Sequence, residues 1–391
     1  MERQQKTILF TNVGADLYGA DYLLLCLVRS LDREKFRSIV LVPYDGPLVA
    51  ELEAAGATVQ VRKFPVLRRS VFTPVGLVRF AWQMLTSLLF LISLSVRERV
   101  DIFHTNTASI WSPGILAAVL RKKHIWQVME LVESPRVVGW AMSKMTGIFS
   151  SKVFCISDAV RLHFLRDNAQ RAAKFQTLYH GVNLNEYDPF RCDRGAMRSA
   201  LGIPAEARVV MYAGRFSGWK GQDVFAEALR ILVKQDAVKT HGAHFIILGS
   251  CFPGQEEFER DLDARLKTFA EPGSIHRAGF QRNLPEWMAA SDIFVLPSKR
   301  PEPNATVLIG AMAMGLACVG TNIGGTVETI LDGTTGLLIS PDSPAAVAEA
   351  LATLLADPAR VKKMGQAGRE RALAVFSIDR YCEAICREYE K

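Results

Sequence analysis

The sequence predicts an α/β protein with two Rossmann-like domains that face each other across a cleft, and three observations support this prediction. Short apolar runs typical of buried strands alternate with helical patterns along the whole chain, as in parallel sheets covered by helices on both faces. The chain has 391 residues, which favours two domains over a single core. The alternation is interrupted once, between 188 and 206, where prolines, a glycine and dense charge predict an interdomain connection.

Each predicted strand is a short apolar run bounded by turn residues, and the runs form one set before the interruption and one after it. In the first set the predicted strands are 7–12, 38–43, 58–61, 102–104, 125–128, 152–156 and 176–178. In the second set they are 209–213, 245–248, 275–278, 293–296, 317–320 and 337–339. Apolar residues at helical spacing predict helices over 21–31, 222–235, 256–269 and 379–390.

The composition is that of a folded protein, with 49% hydrophobic and 22% charged residues. The seven cysteines are scattered without a Cys-x-x-Cys pair, and reduced thiols fit a cytoplasmic location. Cys382 and Cys386 lie one helical turn apart, but no histidine near them would complete a zinc site. Residues 1–6 lead into only a short apolar strand, which is not typical of a signal peptide. We expect neither a metal ion nor a cofactor.

The net charge of +7 is concentrated in the first half of the chain. No acidic residue occurs between Glu53 and Glu98, and this window contains Arg62, Lys63, Arg68, Arg69, Arg79 and Arg97. The apolar stretch 80–96 inside it is interrupted by polar residues and is a little short for a membrane span of about 20 residues. Two interpretations stay open: a helix buried in the first domain, or a helix and basic loop that dock on an anionic membrane surface. No nucleic-acid-binding motif accompanies the basic residues.

The first motif that carries chemistry is the turn 214–221, which follows the predicted strand 209–213 and begins at Gly214. It contains Arg215 and Lys220 immediately before a predicted helix. In an open α/β sheet this junction is the carboxyl end of a strand, where ligands bind. Two cations beside a helix start make a site for a diphosphate. The alternative interpretation is a solvated basic turn that caps a helix.

The second motif follows the predicted strand 293–296 and carries a carboxylate. Pro301 and Pro303 flank Glu302 and hold it extended. A new helix is predicted to start at Asn304 or Ala305, which leaves backbone N–H groups pointing outward. The predicted donor-site residues here, besides Glu302, are Ser298, Asn304, Ala305, Thr306 and Val307. The alternative for Glu302 is a solvent-facing neighbour of the helix N-terminus.

In this order the motifs resemble those of retaining glycosyltransferases of the GT-B type, in glycosyltransferase family four, over nearly the whole chain. The resemblance includes Tyr-His-Gly-Val-Asn at 179–183 before Asp188-Pro189, the turn 214–221, and Pro297-Ser298 followed by Glu302. It continues with Ala-Met-Ala-Met-Gly at 311–315, Thr-Asn-Ile-Gly-Gly at 321–325 with Glu328, and Asp-Gly-Thr-Thr-Gly-Leu-Leu at 332–338.

The resemblance implies an acceptor domain over 1–190 and a nucleotide-sugar donor domain over 191–375, with a final helix of about 376–391 that packs back on the first domain. It implies transfer of a sugar from a nucleoside diphosphate to a glycan or lipid-linked acceptor, for example a cell-surface glycan precursor, without a metal ion. Arg215 and Lys220 would stabilise the departing diphosphate. Glu302 would contact hydroxyls of the transferred sugar. We expect Lys220→Ala to abolish transfer with little effect on folding.

The resemblance also implies roles for residues of the first domain. The loop 14–21 would face the diphosphate and the acceptor, with Gly19 on the donor side and Asp21 on the acceptor side. His104 ends a predicted strand, and Asn106 and Glu130 follow strands. All three are predicted to line the acceptor site, and the alternative for His104 is a structural position at the strand end.

Two departures from the family pattern concern the donor site. Gly310 stands where the family has a second glutamate, which accepts the ribose hydroxyls, and Gln127 and Met129 occupy a segment where many members have a histidine. We expect weakened or unusual ribose recognition from Gly310, which is therefore included among the donor-site residues. The departures leave open a second class of function, a catalytically weakened protein that acts as a binding or scaffolding subunit. A GT-B epimerase is a third hypothesis.

Overall fold

The computed structural model describes residues 5–17, 19–68, 71–267 and 272–391. The chain divides into two compact units. The N-terminal unit is Met1–His180 with Ile378–Lys391, and the C-terminal unit is Gly181–Ser377. The boundary predicted from the sequence at 190 lies ten residues later than the observed one, and the predicted start of the final segment at 376 lies two residues earlier. Tyr18 of the predicted loop 14–21, Arg69 of the basic window and the end of the predicted helix 256–269 lie outside the described residues.

The strands form one parallel sheet in each unit. In the N-terminal unit they are β1 (Lys6–Asn12), β2 (Phe36–Val42), β3 (Thr58–Val61), β4 (Val100–Asn106), β5 (Lys123–Val128), β6 (Lys152–Cys155) and β7 (Phe175–Thr177). In the C-terminal unit they are β8 (Arg208–Ala213), β9 (Ala243–Leu248), β10 (Ile275–Ala278), β11 (Ile293–Leu296), β12 (Ala317–Thr321) and β13 (Gly336–Ile339). Every predicted strand is confirmed.

The helices lie between the strands along the chain. In the N-terminal unit they are α1 (Ala20–Ser30), α2 (Pro47–Ala54), α3 (Pro74–Arg97), α4 (Ser112–Val119), α5 (Arg136–Ile148) and α6 (Asp158–Leu165). The next are α7 (Arg194–Ala200), α8 (Gln222–Lys234), α9 (Ala237–His241), α10 (Glu257–Lys267), α11 (Leu284–Ala289) and α12 (Thr306–Ala313). The last are α13 (Thr326–Thr329), α14 (Pro344–Ala356), α15 (Pro358–Val375) and α16 (Ile378–Glu390).

The core of the N-terminal unit has a layer on each face of its sheet. On one face α1, α2 and α16 cover the strands, and the Tyr381 and Tyr389 side chains of α16 are fully buried in this layer. On the other face the inner side of α3 packs on the sheet, where Leu91 and Leu94 join a cluster with Phe103 of β4. The final helix therefore belongs to the N-terminal unit, although it follows the C-terminal unit in sequence.

The strand order places a switch point in the middle of each sheet. The order is β3-β2-β1-β4-β5-β6-β7 in the N-terminal unit and β10-β9-β8-β11-β12-β13 in the C-terminal unit. From β8 the chain proceeds toward one edge of the sheet, and from β11 it proceeds toward the other edge. Ligands of doubly wound sheets bind at such a point, outside the carboxyl ends of the strands. Both motifs of the predicted donor site leave the sheet there.

Candidate functional site

The turn after β8 packs directly against the loop after β11. Gly221 has a φ of 74°, and a Cβ at this position would overlap the carbonyl oxygen of Pro297. Only glycine combines this left-handed conformation with so close an approach. The Lys299 N–H donates to the Trp219 carbonyl over 2.8 Å. The two predicted motifs are therefore held against each other by backbone contacts.

The interior of the turn is fixed by a buried glutamine. The Gln222 side-chain amide donates to the Ser217 carbonyl over 2.9 Å and accepts from the Ser217 N–H over 3.4 Å. The Ser217 hydroxyl is buried and has no hydrogen-bond partner among the described residues. Sequence analysis missed both residues, because neither glutamine nor serine is distinctive in a turn of this composition.

Lys220 and Glu302, predicted from separate motifs, form a buried ion pair. The Lys220 ammonium lies 2.7 Å from Oε1 of Glu302, and the two side chains are only 16% and 3% exposed. The buried Ser298 hydroxyl donates to the same carboxylate oxygen over 2.6 Å. The Lys220 ammonium also lies 4.6 Å from the centre of the Trp219 ring. The structure thus brings three predicted site residues, Lys220, Ser298 and Glu302, into one cluster.

Glu302 is fixed by the loop after β12 as well. The Gly325 N–H donates to the Glu302 carbonyl over 2.7 Å. Gly324 has a φ of 60°, and a Cβ there would lie 2.5 Å from the same carbonyl oxygen. Loops from three neighbouring strands, β8, β11 and β12, therefore meet at Glu302.

Arg215 occupies another part of the same turn. Its guanidinium stacks over the ring of Phe252, 4.1 Å from the ring centre. Phe252 is 47% exposed, so this cation lies nearer to solvent than the Lys220–Glu302 pair. The planar guanidinium group of an arginine is suited to bind phosphate.

The helix α12 starts beside Glu302, as predicted. Ala305 is its N-cap, and no side chain caps it among the described residues. The Leu308 and Ile309 N–H groups bond back to the Ala305 carbonyl. The first helical N–H groups, those of Thr306 and Val307, have no intrahelical acceptor, and this end of a helix favours an anion. Asn304 immediately precedes the cap.

Gly310 lies one turn further along α12, against an aromatic ring. A Cβ at Gly310 would lie 2.5 Å from Cε1 and 2.9 Å from Cδ1 of Tyr187. Burial raises the pKa of Tyr187 to about 12. The ring occupies the space into which a glutamate side chain at position 310 would extend, a relationship with no local signal in the sequence.

In the N-terminal unit the structure corrects the prediction for His104. Its side chain is fully buried, the Tyr389 hydroxyl lies 2.6 Å from Nδ1, and Nε2 lies 3.3 Å from the Gln127 amide oxygen. Burial lowers the pKa of His104 to about 3. The C-terminal helix covers this side chain, so it does not line a binding surface. Gln127 lies in the segment where many family members have a histidine. Its side chain is also buried, and its contact with Nε2 helps to fix the orientation of the His104 ring.

Of the other residues predicted for the acceptor side, Asn106 and Glu130 lie at or just after the carboxyl ends of β4 and β5, and Asp21 lies in the first turn of α1. Asn106 is buried and donates to the side chain of Asn12 over 3.4 Å. Asp21 is buried and accepts from the Asn12 amide over 2.6 Å, and burial raises the pKa of its carboxyl group. Gly19 is the N-cap of α1. Asp21 therefore organises the loop that begins at Asn12.

Glu130 is the partly exposed carboxylate of this group. It accepts from the Thr107 hydroxyl, from the Ala108 N–H over 3.3 Å and from the Met129 N–H over 3.1 Å. Burial nevertheless raises the pKa of the Glu130 carboxyl. Within the described ranges, no group of three or more His, Cys, Asp or Glu side chains could hold a metal ion.

Two family descriptions match the sequence, one in each half. Residues 18–186 match Glycosyltransferase Family 4, and residues 193–371 match Glycosyl transferases group 1. The chain is 26% identical to spore coat protein SA of Bacillus subtilis over 75% of its own length and 79% of that protein. It is 30% identical to D-inositol 3-phosphate glycosyltransferase of Streptomyces avermitilis, over 51% of its own length and 43% of that protein. The second match thus covers less than half of the relative.

A solved structure is similar over nearly the whole chain. The crystal structure of Anabaena Alr3699/HepE in complex with UDP and glucose has a TM-score of 0.80 at 22% identity. The similarity covers 98% of this chain and 99% of that one. The two sheets therefore have the fold that the sequence predicts, GT-B.

Proposed function

The chain belongs to glycosyltransferase family four, a family of retaining enzymes, and on that premise we propose that it transfers a sugar from a nucleoside diphosphate to a glycan or lipid-linked acceptor. The observation that carries this proposal is the cluster of Lys220, Ser298 and Glu302 beside the open start of α12. It combines a cation, an anion and free backbone donors at the switch point of the C-terminal sheet. The reaction needs all three.

Departure of the diphosphate is the step that the cations serve. As the bond between the anomeric carbon and the β-phosphate oxygen breaks, negative charge develops on the diphosphate. Lys220, Arg215 and the N–H groups of Thr306 and Val307 stabilise that charge, and they do so most strongly in the transition state. The diphosphate offers Lys220 a second anionic partner besides Glu302.

Glu302 serves the sugar. Its carboxylate accepts hydrogen bonds from sugar hydroxyls and stabilises positive charge at the oxocarbenium-like anomeric carbon. The acceptor oxygen then bonds to that carbon on the face that the phosphate leaves, and the acceptor proton passes to the departing phosphate oxygen. The configuration at the anomeric carbon is retained, and no side chain is needed as the base.

Two further observations bear on the nucleotide of the donor and on the cellular compartment. UDP is the nucleotide to test first, because the similar Anabaena structure is described as a complex with UDP and glucose. We place the reaction in the cytoplasm, where the seven free cysteines would stay reduced.

The proposal is tested by saturation-transfer NMR of the full chain with UDP-, GDP- and ADP-sugars, followed by NMR of the sugar released by slow hydrolysis of the bound donor. We expect one nucleotide series to bind, and the first product formed to have the anomeric configuration of the donor. A double variant, Lys220→Met with Glu302→Gln, removes both charges and is the matched control for background hydrolysis. Release of the opposite anomer would overturn the retaining mechanism.

A binding or scaffolding role is the second candidate, and Gly310 is the observation that favours it. If wild-type protein binds none of the nucleotide sugars at millimolar concentration, this second candidate replaces the first. If it binds a donor but neither hydrolyses nor transfers the sugar, the result supports a binding protein with an intact donor site.

A further inference from the structure

The outward side of α3 carries an unbroken apolar stripe. Every third or fourth residue along this 24-residue helix is a large apolar side chain that points away from the domain. Their exposed fractions range from 42% to 79%, and no other element of the described chain exposes so many. The stripe consists of Val75, Val78, Trp82, Leu85, Leu89, Ile92 and Val96. Alternating steps of three and four residues keep these side chains in one line along the helix.

The opposite side of α3 is fixed to the protein. Leu91 and Leu94 are buried in the core, and the buried Ser87 hydroxyl lies 3.0 Å from the Ser112 hydroxyl of α4. By length and composition α3 is the one helix in the described residues that could cross a membrane. Spanning would detach this buried side from the sheet, whereas lying flat on a bilayer preserves it. The packing therefore favours a helix in the plane of the interface.

A basic loop, residues 62–68, packs against α3. Arg62 stacks on Phe90 of α3, 4.0 Å from the ring centre, and Phe64 of the same loop is buried in the core. These contacts anchor the loop to the helix. The sequence has no acidic residue between Glu53 and Glu98, so neither this loop nor α3 carries a carboxylate side chain.

Between the loop and the first turns of α3 there is a cavity of about 510 Å³. Lys63, Arg68 and Arg79 line it together with apolar side chains, and no carboxylate lines it among the described residues. Three cations at the rim of an apolar surface match a phosphate headgroup attached to acyl chains.

We infer that the stripe and this basic loop dock on an anionic phospholipid bilayer, with lipid phosphate in the cavity. A second copy of the chain fits the surface less well. Pairing two stripes would bring like charges together, because α3 and its loop carry arginine and lysine but no carboxylate to oppose them. An anionic bilayer would bury the apolar side chains among its acyl chains and pair the cations with its phosphate groups. The inference does not depend on the transfer reaction.

The test is co-sedimentation of the full chain with vesicles of phosphatidylcholine alone, and with vesicles of phosphatidylcholine and phosphatidylglycerol in equal parts. We expect binding to the anionic vesicles that weakens as salt screens the charges. Arg79→Glu should lower the partition coefficient for anionic vesicles about fivefold or more. Leu89→Ser should lower the same partition coefficient about fivefold, because roughly half of the apolar surface of the Leu89 side chain is exposed and would enter the bilayer.

Leu162→Ser on α6 is the matched control, because Leu162 is 56% exposed and Leu89 is 59% exposed. Leu162→Ser should bind like the wild type. Equal loss in the two leucine variants, or no binding at any salt concentration, overturns the inference. So does a lipid-free dimer in light scattering that Leu89→Ser dissociates, which would assign the stripe to a second copy. Protein that alkaline carbonate fails to extract from cell membranes would instead make α3 a membrane span.

Discussion

Replacing Lys220 by methionine should both stop transfer and destabilise the C-terminal unit. The substitution leaves Glu302 only 3% exposed and without its ion-pair partner, with the Ser298 hydroxyl as the remaining side-chain donor. Breaking a buried pair by removing one partner costs about 3–5 kcal/mol. Because Ser298 still satisfies one carboxylate oxygen, we expect the lower end of that range. From the sequence alone we expect Lys220→Ala to leave folding almost unchanged, and the buried pair leads to a different prediction.

A loss of about 3 kcal/mol should lower Tm by roughly 6–12 °C in a domain of about 200 residues. The double variant, Lys220→Met with Glu302→Gln, removes both charges and leaves a neutral amide beside Ser298. Its stability should return to within about 1 kcal/mol of the wild type, while transfer stays absent. Recovery of stability without recovery of activity separates the structural role of the pair from its chemical one.

The assay is differential scanning calorimetry of the full chain, together with donor hydrolysis. Lys122→Met is the control, since Lys122 pairs with Asp101 at 3.3 Å on the surface and both side chains are at least 40% exposed. Such a pair contributes about 1 kcal/mol or less. The reasoning is refuted if Lys220→Met lowers Tm no more than Lys122→Met does, or if the double variant is less stable than the single one.

Two further predictions concern glycines of the C-terminal unit. Gly310→Glu alone should destabilise the protein without raising its affinity for UDP, because the new Cβ would lie 2.5 Å from the Tyr187 ring. The double variant Tyr187→Ala with Gly310→Glu should make room for the carboxylate and bind UDP more tightly in calorimetry. Equal UDP affinities of the two variants would contradict this. Gly324→Ala should lower the free energy of unfolding in urea by about 1–3 kcal/mol more than Gly202→Ala does. Both glycines have φ near 60°, but a Cβ at Gly202 meets nothing within 4 Å, whereas one at Gly324 would clash with Glu302. Equal losses of stability in the two variants would exclude the clash.

The strands could be predicted because the central parallel strands are buried on both faces and appear as continuous apolar runs. Predicted bounds were too short where a strand ends in polar residues. The structure extends β4 from Val100 to Asn106, against a predicted 102–104, because Thr105 and Asn106 pair with β1 despite their polarity. The pattern of apolar residues in a segment shows which part of it is hydrophobic. Whether its polar ends also form strand hydrogen bonds depends on the neighbouring strand, which the segment's own sequence does not reveal.

The contacts that cross long stretches of sequence could not be predicted. Tyr187 precedes Gly310 by more than 100 residues, and nothing near either residue indicates that they touch. His104 looked available at the end of a strand, and only the packing of α16 places Tyr389 over it. For α3 the sequence left burial and membrane docking both open, and the structure shows one buried side and one exposed side.

The Lys220–Glu302 pair also bears on how the proposed reaction is catalysed. Before the donor binds, each charge is satisfied by the other, so the folded site carries no isolated buried charge. In the ground state the diphosphate must compete with Glu302 for Lys220, which limits how tightly the donor is held. As the glycosidic bond breaks, negative charge grows on the phosphate near Lys220 and positive charge grows on the sugar near Glu302. In the transition state Lys220 interacts with the phosphate, and Glu302 interacts with the sugar, more strongly than the two residues interact with each other. They therefore stabilise the transition state more than the ground state, which raises the rate.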